Sequence, residues 1–200
     1  YQSRAGHDVH VVGISSSMTT PYEKIQREDF EVECFKKFNS KTFTYIKELV
    51  KNIDIVHLHG VWNMKNVRLG RYLETIEKPY IITAHCGYAL DRIKQSNYLL
   101  KLLYHKIWQK KLYEHAAGIH ALTREESTDI YHFCKNENIF VVTNGVDPDT
   151  YDKYHYTVHK ERKKIKFGYL GRLSVEKNID NLLKAISLLP NKVKEQIELC

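Results

Sequence analysis

Cysteine is scarce and badly placed for a scaffold. Cys34, Cys86, Cys134 and Cys200 are scattered over 200 residues, with no Cys-x-x-Cys pair. That spacing excludes a disulfide-dense domain and a zinc ribbon, and a reducing cytoplasm is the simplest compartment. No apolar run reaches the length of a membrane span. The opening Tyr1-Gln2-Ser3-Arg4-Ala5-Gly6-His7 has no initiator Met, basic n-region or apolar h-region, so neither a signal peptide nor an anchor is legible in it. Short-period repeats and low-complexity tracts are absent too. Acidic residues are in the minority, 24 against 31 Lys and Arg, for a formal net charge of +7. This balance favours anionic partners, whether nucleotide diphosphates, phospholipid headgroups or nucleic acid, without choosing among them.

What the sequence does contain is alternation. Short runs rich in Val and Ile alternate with longer segments of helical period, the pattern of βαβ units around a parallel sheet. The expected strands are Asp8 to Ile14, Phe30 to Phe35, Ile53 to His59, Tyr80 to His85, Gly118 to Leu122, Ile139 to Thr143 and Ile165 to Leu170. The expected helices are Phe43 to Asn52, Val67 to Ile76, Tyr98 to Ala116, Arg124 to Cys134 and Asn178 to Leu189. Thr123 with Glu126 three residues later forms a capping box at the start of the fourth. The third carries Lys101, Lys106, Lys110 and Lys111 interleaved with Leu102, Leu103, Ile107 and Trp108. A core-facing stripe with a solvated lysine face is the expectation there, and a basic amphipathic surface for an anionic membrane is the alternative.

These elements divide into an α/β N-terminal domain over residues 1-147, a linker over 148-164 and the beginning of a second domain over 165-200. The linker is read from Pro148 and the charged run Lys160-Glu161-Arg162-Lys163-Lys164. One βα unit and the start of a strand at Glu198-Leu199-Cys200 make the second domain incomplete.

The chemistry concentrates in four segments. In Gly168-Tyr169-Leu170-Gly171-Arg172-Leu173, a strand end with glycines meets a helix start, and Arg172 and Lys177 add two charges. Free helix-start amides and cations suit a diphosphate; a plain strand-to-helix turn with solvated charges is the alternative. In Asp54-Ile55-Val56-His57-Leu58-His59-Gly60-Val61-Trp62, two histidines fall on one strand face at a carboxyl end, where ligands of open α/β sheets collect. A metal pair and ordinary packing are the rivals there. Tyr80-Ile81-Ile82-Thr83-Ala84-His85-Cys86-Gly87 is again a strand running into a glycine-containing loop, and Val141-Val142-Thr143-Asn144-Gly145-Val146-Asp147 ends in a turn pair.

The segment from Gly168 to Ala185 resembles the hallmark of retaining GT-B glycosyltransferases of family four, with Gly-Arg-Leu, a later Lys and Leu-Leu-x-Ala at this spacing. Asn178 stands where that family usually has glycine. The His57 to Trp62 stretch is similar to the His-x-His-Gly-x-Trp of polysaccharide-assembling members, and Asn144-Gly145-Val146-Asp147 to the element that closes their first domain. Relatives read His-Gly where this chain has His85-Cys86-Gly87.

The resemblance implies two Rossmann-like domains, of which the first here lacks its opening strand and the second its paired glutamates. Two whole domains would need roughly 300 residues or more. It implies transfer of a hexose or similar sugar from a nucleoside diphosphate sugar to a glycan or lipid-linked acceptor, with retention, in cell-surface polysaccharide or glycoconjugate synthesis. Gly171, Arg172 and Lys177 would hold the donor diphosphate; His85 would be the active-site histidine; His59, Gly60 and Trp62 would line the acceptor side of the cleft. No cofactor or metal and no nucleic acid is implied. The expected location is the cytoplasm, with a peripheral contact at the inner membrane face as a variant, and the 200 residues alone are expected to lack turnover. The rivals are a metal-dependent hydrolase using His57, His59, His85 and His120, and a non-enzymatic basic binding module.

Overall fold

The computed structural model describes residues 2–27, 29–94, 97–146 and 164–200. Asp147 and nearly all of the expected linker lie outside them. The chain forms two compact units, Tyr1–Thr143 and Asn144–Cys200.

The first unit is α/β. Strands β4 (Val56–His59), β5 (Tyr80–Thr83), β6 (Gly118–Ala121) and β7 (Ile139–Val141) form one sheet in that order, with every neighbouring pair parallel. Parallel neighbours need crossovers. Helix α2 (Met64–Thr75) supplies the first, α3 (Leu90–Lys94), α4 (Tyr98–Tyr104) and α5 (Lys110–Glu114) the second, and α6 (Arg124–Phe133) the third. The core lies between helices and sheet, where Leu58, Tyr80, Ile82, Ile119 and Ala121 meet Val67, Leu73, Leu112, Tyr113 and Ile130. Gly70 of α2 packs against Leu112 so closely that any side chain there would collide with it, which sets the spacing of α2 and α5.

A separate three-stranded sheet precedes this one. Parallel β1 (His10–Ile14) and β3 (Glu31–Phe35) are joined by β2 (Tyr22–Gln26), antiparallel on the far side of β3. Val12 and Ile14 pack on the core with Ile46 and Val50 of α1 (Ser40–Lys51). β2 is not among the strands expected from the sequence, because Tyr-Glu-Lys-Ile-Gln has one inward apolar residue and no Val or Ile run. Helices α1 and α2 begin at Ser40 and Met64, each three residues before the start expected from the sequence. Asn39 and Asn63 cap those helices, their side chains accepting from the amides of Thr42 and Lys65 at 3.0 Å each, and the polar first turns hid the starts.

The helix expected from Tyr98 to Ala116 is broken by a π turn, His105–Gln109. A π turn places residues four apart on one side. His105 and Gln109 are buried, and Tyr104 and Trp108 pack on the core, while Leu103 and Ile107 are left outside. The core-facing leucine stripe expected from the sequence is therefore reversed at Leu103 and Ile107.

In the second unit, β8 (Ile165–Phe167) and β9 (Ile197–Leu199) pair in parallel, Ile165 opposite Ile197. They are connected through a 3-10 turn (Val175–Lys177), α7 (Ile179–Ser187) and α8 (Asn191–Lys194). The strand expected to reach Leu170 ends at Phe167.

Candidate functional site

The carboxyl ends of β4, β5 and β6 gather four histidines around Thr83. Register does this: His59 lies opposite Thr83, and Thr83 opposite His120. His57 and His59, two residues apart, share a sheet face with ring centroids 4.1 Å apart. His57 Nε2 is 2.6 Å from Thr83 Oγ1, which is 2.9 Å from His120 Nδ1, and His120 Nε2 is 2.7 Å from the Val142 carbonyl. A carbonyl only accepts, so His120 carries its hydrogen on Nε2. With neutral rings, the Thr83 hydroxyl then donates to His120 Nδ1 and accepts from His57 Nε2–H. At the outer edge, His59 Nδ1 and His85 Nε2 share a hydrogen bond of 3.0 Å, their rings stacked at 5.3 Å.

Burial, and then the neighbouring His59, His120 and His85, lower the His57 pKa to about 4. Desolvation first, then His85 and His120, lowers that of His59. Both rings are neutral at pH 7. A depressed histidine pKa means that the unfolded chain takes up the proton first as pH falls through the ordinary 6.5, so stability is lost from there down to about 4. Because the His57 ring is only half buried, the loss at pH 5 is expected to be about 1 kcal/mol. Urea titrations at pH 7 and pH 5 check this: His57→Gln should flatten the difference, and an unchanged pH dependence would refute the assignment.

The loops above the histidines hold unusual backbone. Gly60 has φ +86°, Trp62 +56°, His85 +53° and Cys86 +57°. Side chains rarely adopt this left-handed region, and two adjacent non-glycine residues there require outside support. The support is visible. Gly60 N–H donates to the Thr83 carbonyl at 2.8 Å, and Trp62 N–H to Gln109 Oε1 at 2.7 Å. Trp62 Nε1–H donates to the Gly87 carbonyl at 3.1 Å, tying the two loops together. Asn66 Nδ2 donates to the carbonyls of His59 and Gly60, at 2.9 and 3.1 Å. Gly87 sits against Val61 and the Ala84 carbonyl with no room for a side chain.

Glu126 completes the frame. Its side chain is buried at the start of α6 and accepts from the Cys86 amide and, at 2.7 Å, from the Leu122 amide. The Thr123 half of the capping box is present, with Oγ1 accepting from Glu126 N–H at 3.1 Å. The Glu126 side chain, however, reaches a loop forty residues away in sequence rather than only its own helix start. Burial, then the Glu126 charge, raises the Cys86 thiol pKa, which makes it a poor nucleophile.

His59, Gly60, Trp62 and His85, singled out in the sequence, are thus neighbours in one constellation. Thr83, Asn66, Gln109 and Glu126 belong with them. Of these, only Glu126 carried a signal in the sequence, as a cap. His57 Nε2 and His120 Nδ1 are turned onto a hydroxyl, His120 Nε2 onto a carbonyl, and His59 Nδ1 and His85 Nε2 onto each other; among the described residues no group of three or more His, Cys, Asp or Glu side chains is arranged to hold a metal ion.

Gly171, Arg172 and Lys177 belong to the second unit. Arg172 and Lys177 are exposed. The Tyr169 hydroxyl donates to the Arg172 carbonyl at 3.1 Å, and its ring covers Gly171, where an added Cβ would lie 2.6 Å from Tyr169 Oη. Asn178 has φ +53°, and its side chain does not cap α7. Asparagine tolerates the left-handed region best after glycine, so its presence at the family's usual glycine position preserves the turn.

A parallel sheet with helical crossovers and polar loops at its strand ends is a Rossmann-like α/β arrangement. The pattern of Glycosyltransferase Family 4 matches residues 1–150, and the chain belongs to that family. A comparison with curated proteins gave no match. The chain is accordingly a glycosyltransferase family member, with a sugar donor and an acceptor as substrates in general. No described helix is long and apolar enough to cross a membrane.

Proposed function

We propose that this protein transfers a sugar from a nucleoside diphosphate sugar to a glycan or lipid-linked acceptor, with retention at the anomeric carbon and without a metal, in cell-surface polysaccharide or glycoconjugate synthesis. The observation that carries this reading is the His85–Cys86 pair, held left-handed by Glu126 so that His85 stands beside His59 at the strand ends. An exposed imidazole that bonds His59 and precedes an amide anchored on Glu126 suits a group that orients a polar substrate.

In this reading His85 orients the donor sugar, and His59, Gly60 and Trp62 face the acceptor. Arg172, Lys177 and the start of α7 stabilise the charge that grows on the leaving diphosphate, acting as electrophiles rather than bases. Gly171, under the Tyr169 ring, lets the backbone turn tightly beside the two cations.

Titration of uridine and guanosine diphosphate sugars into isotopically labelled protein tests this. Amide shifts are expected across Gly171 to Asn178, and the sugar is expected to move the His85 ring resonances. The absence of both shifts at saturating donor would overturn the reading. Where a product forms, its new linkage is expected to share the anomeric configuration of the donor, and an inverted product would remove retention.

A further inference from the structure

Between α2 and the run from the π turn into α5 lies a cavity of about 300 Å³. Its apolar walls are Val67, Trp108 and Leu112, and its polar ones Arg71, Glu74, Lys111 and His115. Helix α2 runs back from the carboxyl end of β4, and α5 leads into the amino end of β6. Glu74 and His115, at their last turns, therefore lie toward the end of the sheet opposite the four histidines, and the cavity is separate from the candidate site. Trp108 is half-buried, and the Tyr104 ring, 5.4 Å away and tilted by 50°, fixes its indole.

The charges in this cavity do not balance. Glu74 is the one carboxylate in its lining, and both its oxygens are engaged: Oε1 accepts from the Tyr80 hydroxyl at 3.1 Å, and Oε2 lies 3.2 Å from His115 Nδ1. Glu114, close to Lys111 in sequence, is 3.6 Å from Lys110 Nζ instead. Arg71 and Lys111 thus reach one hollow from two helices, with neither side chain hydrogen-bonded or ion-paired among the described residues. Like charges gathered this way repel until an anion joins them. A guanidinium fork beside an ammonium grips an oxyanion, whether phosphate or carboxylate. The indole offers a flat apolar surface next to the two cations, and about 300 Å³ is the low end of small-molecule sites, room for a single ring. A metal ion would meet two cations and a carboxylate already bonded, and a neutral sugar would make no use of Arg71 or Lys111.

We infer that this cavity is a binding site for a small oxyanion carried on a flat ring, the ring lying on Trp108 against Val67 and Leu112, and the oxyanion held by Arg71 and Lys111. This inference is independent of the proposed sugar transfer.

Phenyl phosphate, benzoate and inorganic phosphate, titrated separately into the isotopically labelled protein, test it. Both ring anions are expected to move the Trp108 indole Nε1–H resonance and the amides of Arg71 and Lys111, with a dissociation constant on the order of 1 mM. The tighter of the two identifies the head group as phosphate or carboxylate. Inorganic phosphate, which has no ring to lay on the indole, should bind roughly tenfold more weakly than phenyl phosphate. Arg71→Gln with Lys111→Gln should lower the affinity for phenyl phosphate roughly tenfold or more. Both positions are exposed, so circular dichroism and the urea midpoint should be unchanged. Three results would overturn the inference: a Trp108 indole unmoved by either ring anion at about 10 mM, inorganic phosphate binding as tightly as phenyl phosphate, or unchanged affinity of the double variant. Shifts confined to Gly171 to Asn178 count with the first of these, since they report the turn of the second unit instead.

Discussion

Replacing Arg172 and Lys177 together by alanine is expected to weaken nucleoside diphosphate binding roughly hundredfold or more. Each charge-assisted hydrogen bond to a phosphate contributes about 1.5–3 kcal/mol. Both side chains are exposed, so the lower figure applies, and two such bonds correspond to about two powers of ten in affinity. Asn178→Gly is the control, since glycine accepts the left-handed backbone of Asn178 and the turn should survive. Equilibrium titration with uridine and guanosine diphosphates provides the measurement. Equal affinity of the wild type and the double variant would mean that the cations serve the surface rather than a ligand.

The second large effect belongs to stability. Glu126→Ala is expected to cost about 3 kcal/mol, because it leaves the Cys86 and Leu122 amides without their carboxylate acceptor. Cys86 and His85 are then no longer held in left-handed backbone, and the His59–His85 hydrogen bond should loosen with them. Glu126→Gln keeps the shape but turns an NH2 toward one of the two amide donors, so about half the loss is expected. Urea denaturation gives the energies, and amide hydrogen exchange at Cys86 locates them. A Glu126→Ala protein within about 0.5 kcal/mol of wild type would show that water replaces the carboxylate.

The sequence made the parallel sheet legible because its strands are buried runs of Val, Ile and Leu with helical segments between them. It also made the His57 to Trp62 and His85 segments legible, since glycine and histidine at strand ends stand out from such runs. Contacts distant along the chain were not legible. Glu126 is spaced for a helix cap, and nothing local shows that it also holds Cys86. The roles of Thr83, Gln109 and Asn66 arise only when strand register and the π turn bring them to the histidines. The leucines of α4 misled for a related reason: aliphatic residues are expected inside, but here the inner side is taken by Tyr104, His105, Trp108 and Gln109. Residue counts at a regular 3.6 period do not anticipate a wider turn.

Four imidazoles at one end of a sheet look like four independent proton acceptors. The chain from His57 through Thr83 and His120 to the Val142 carbonyl removes that independence, because its last member is a backbone atom that never titrates. The hydrogen order is locked from that end, and two of the four rings are committed to scaffolding. The outer couple, His59 and His85, bonds only within itself among the four, so the cluster presents one adjustable contact on an inert mount.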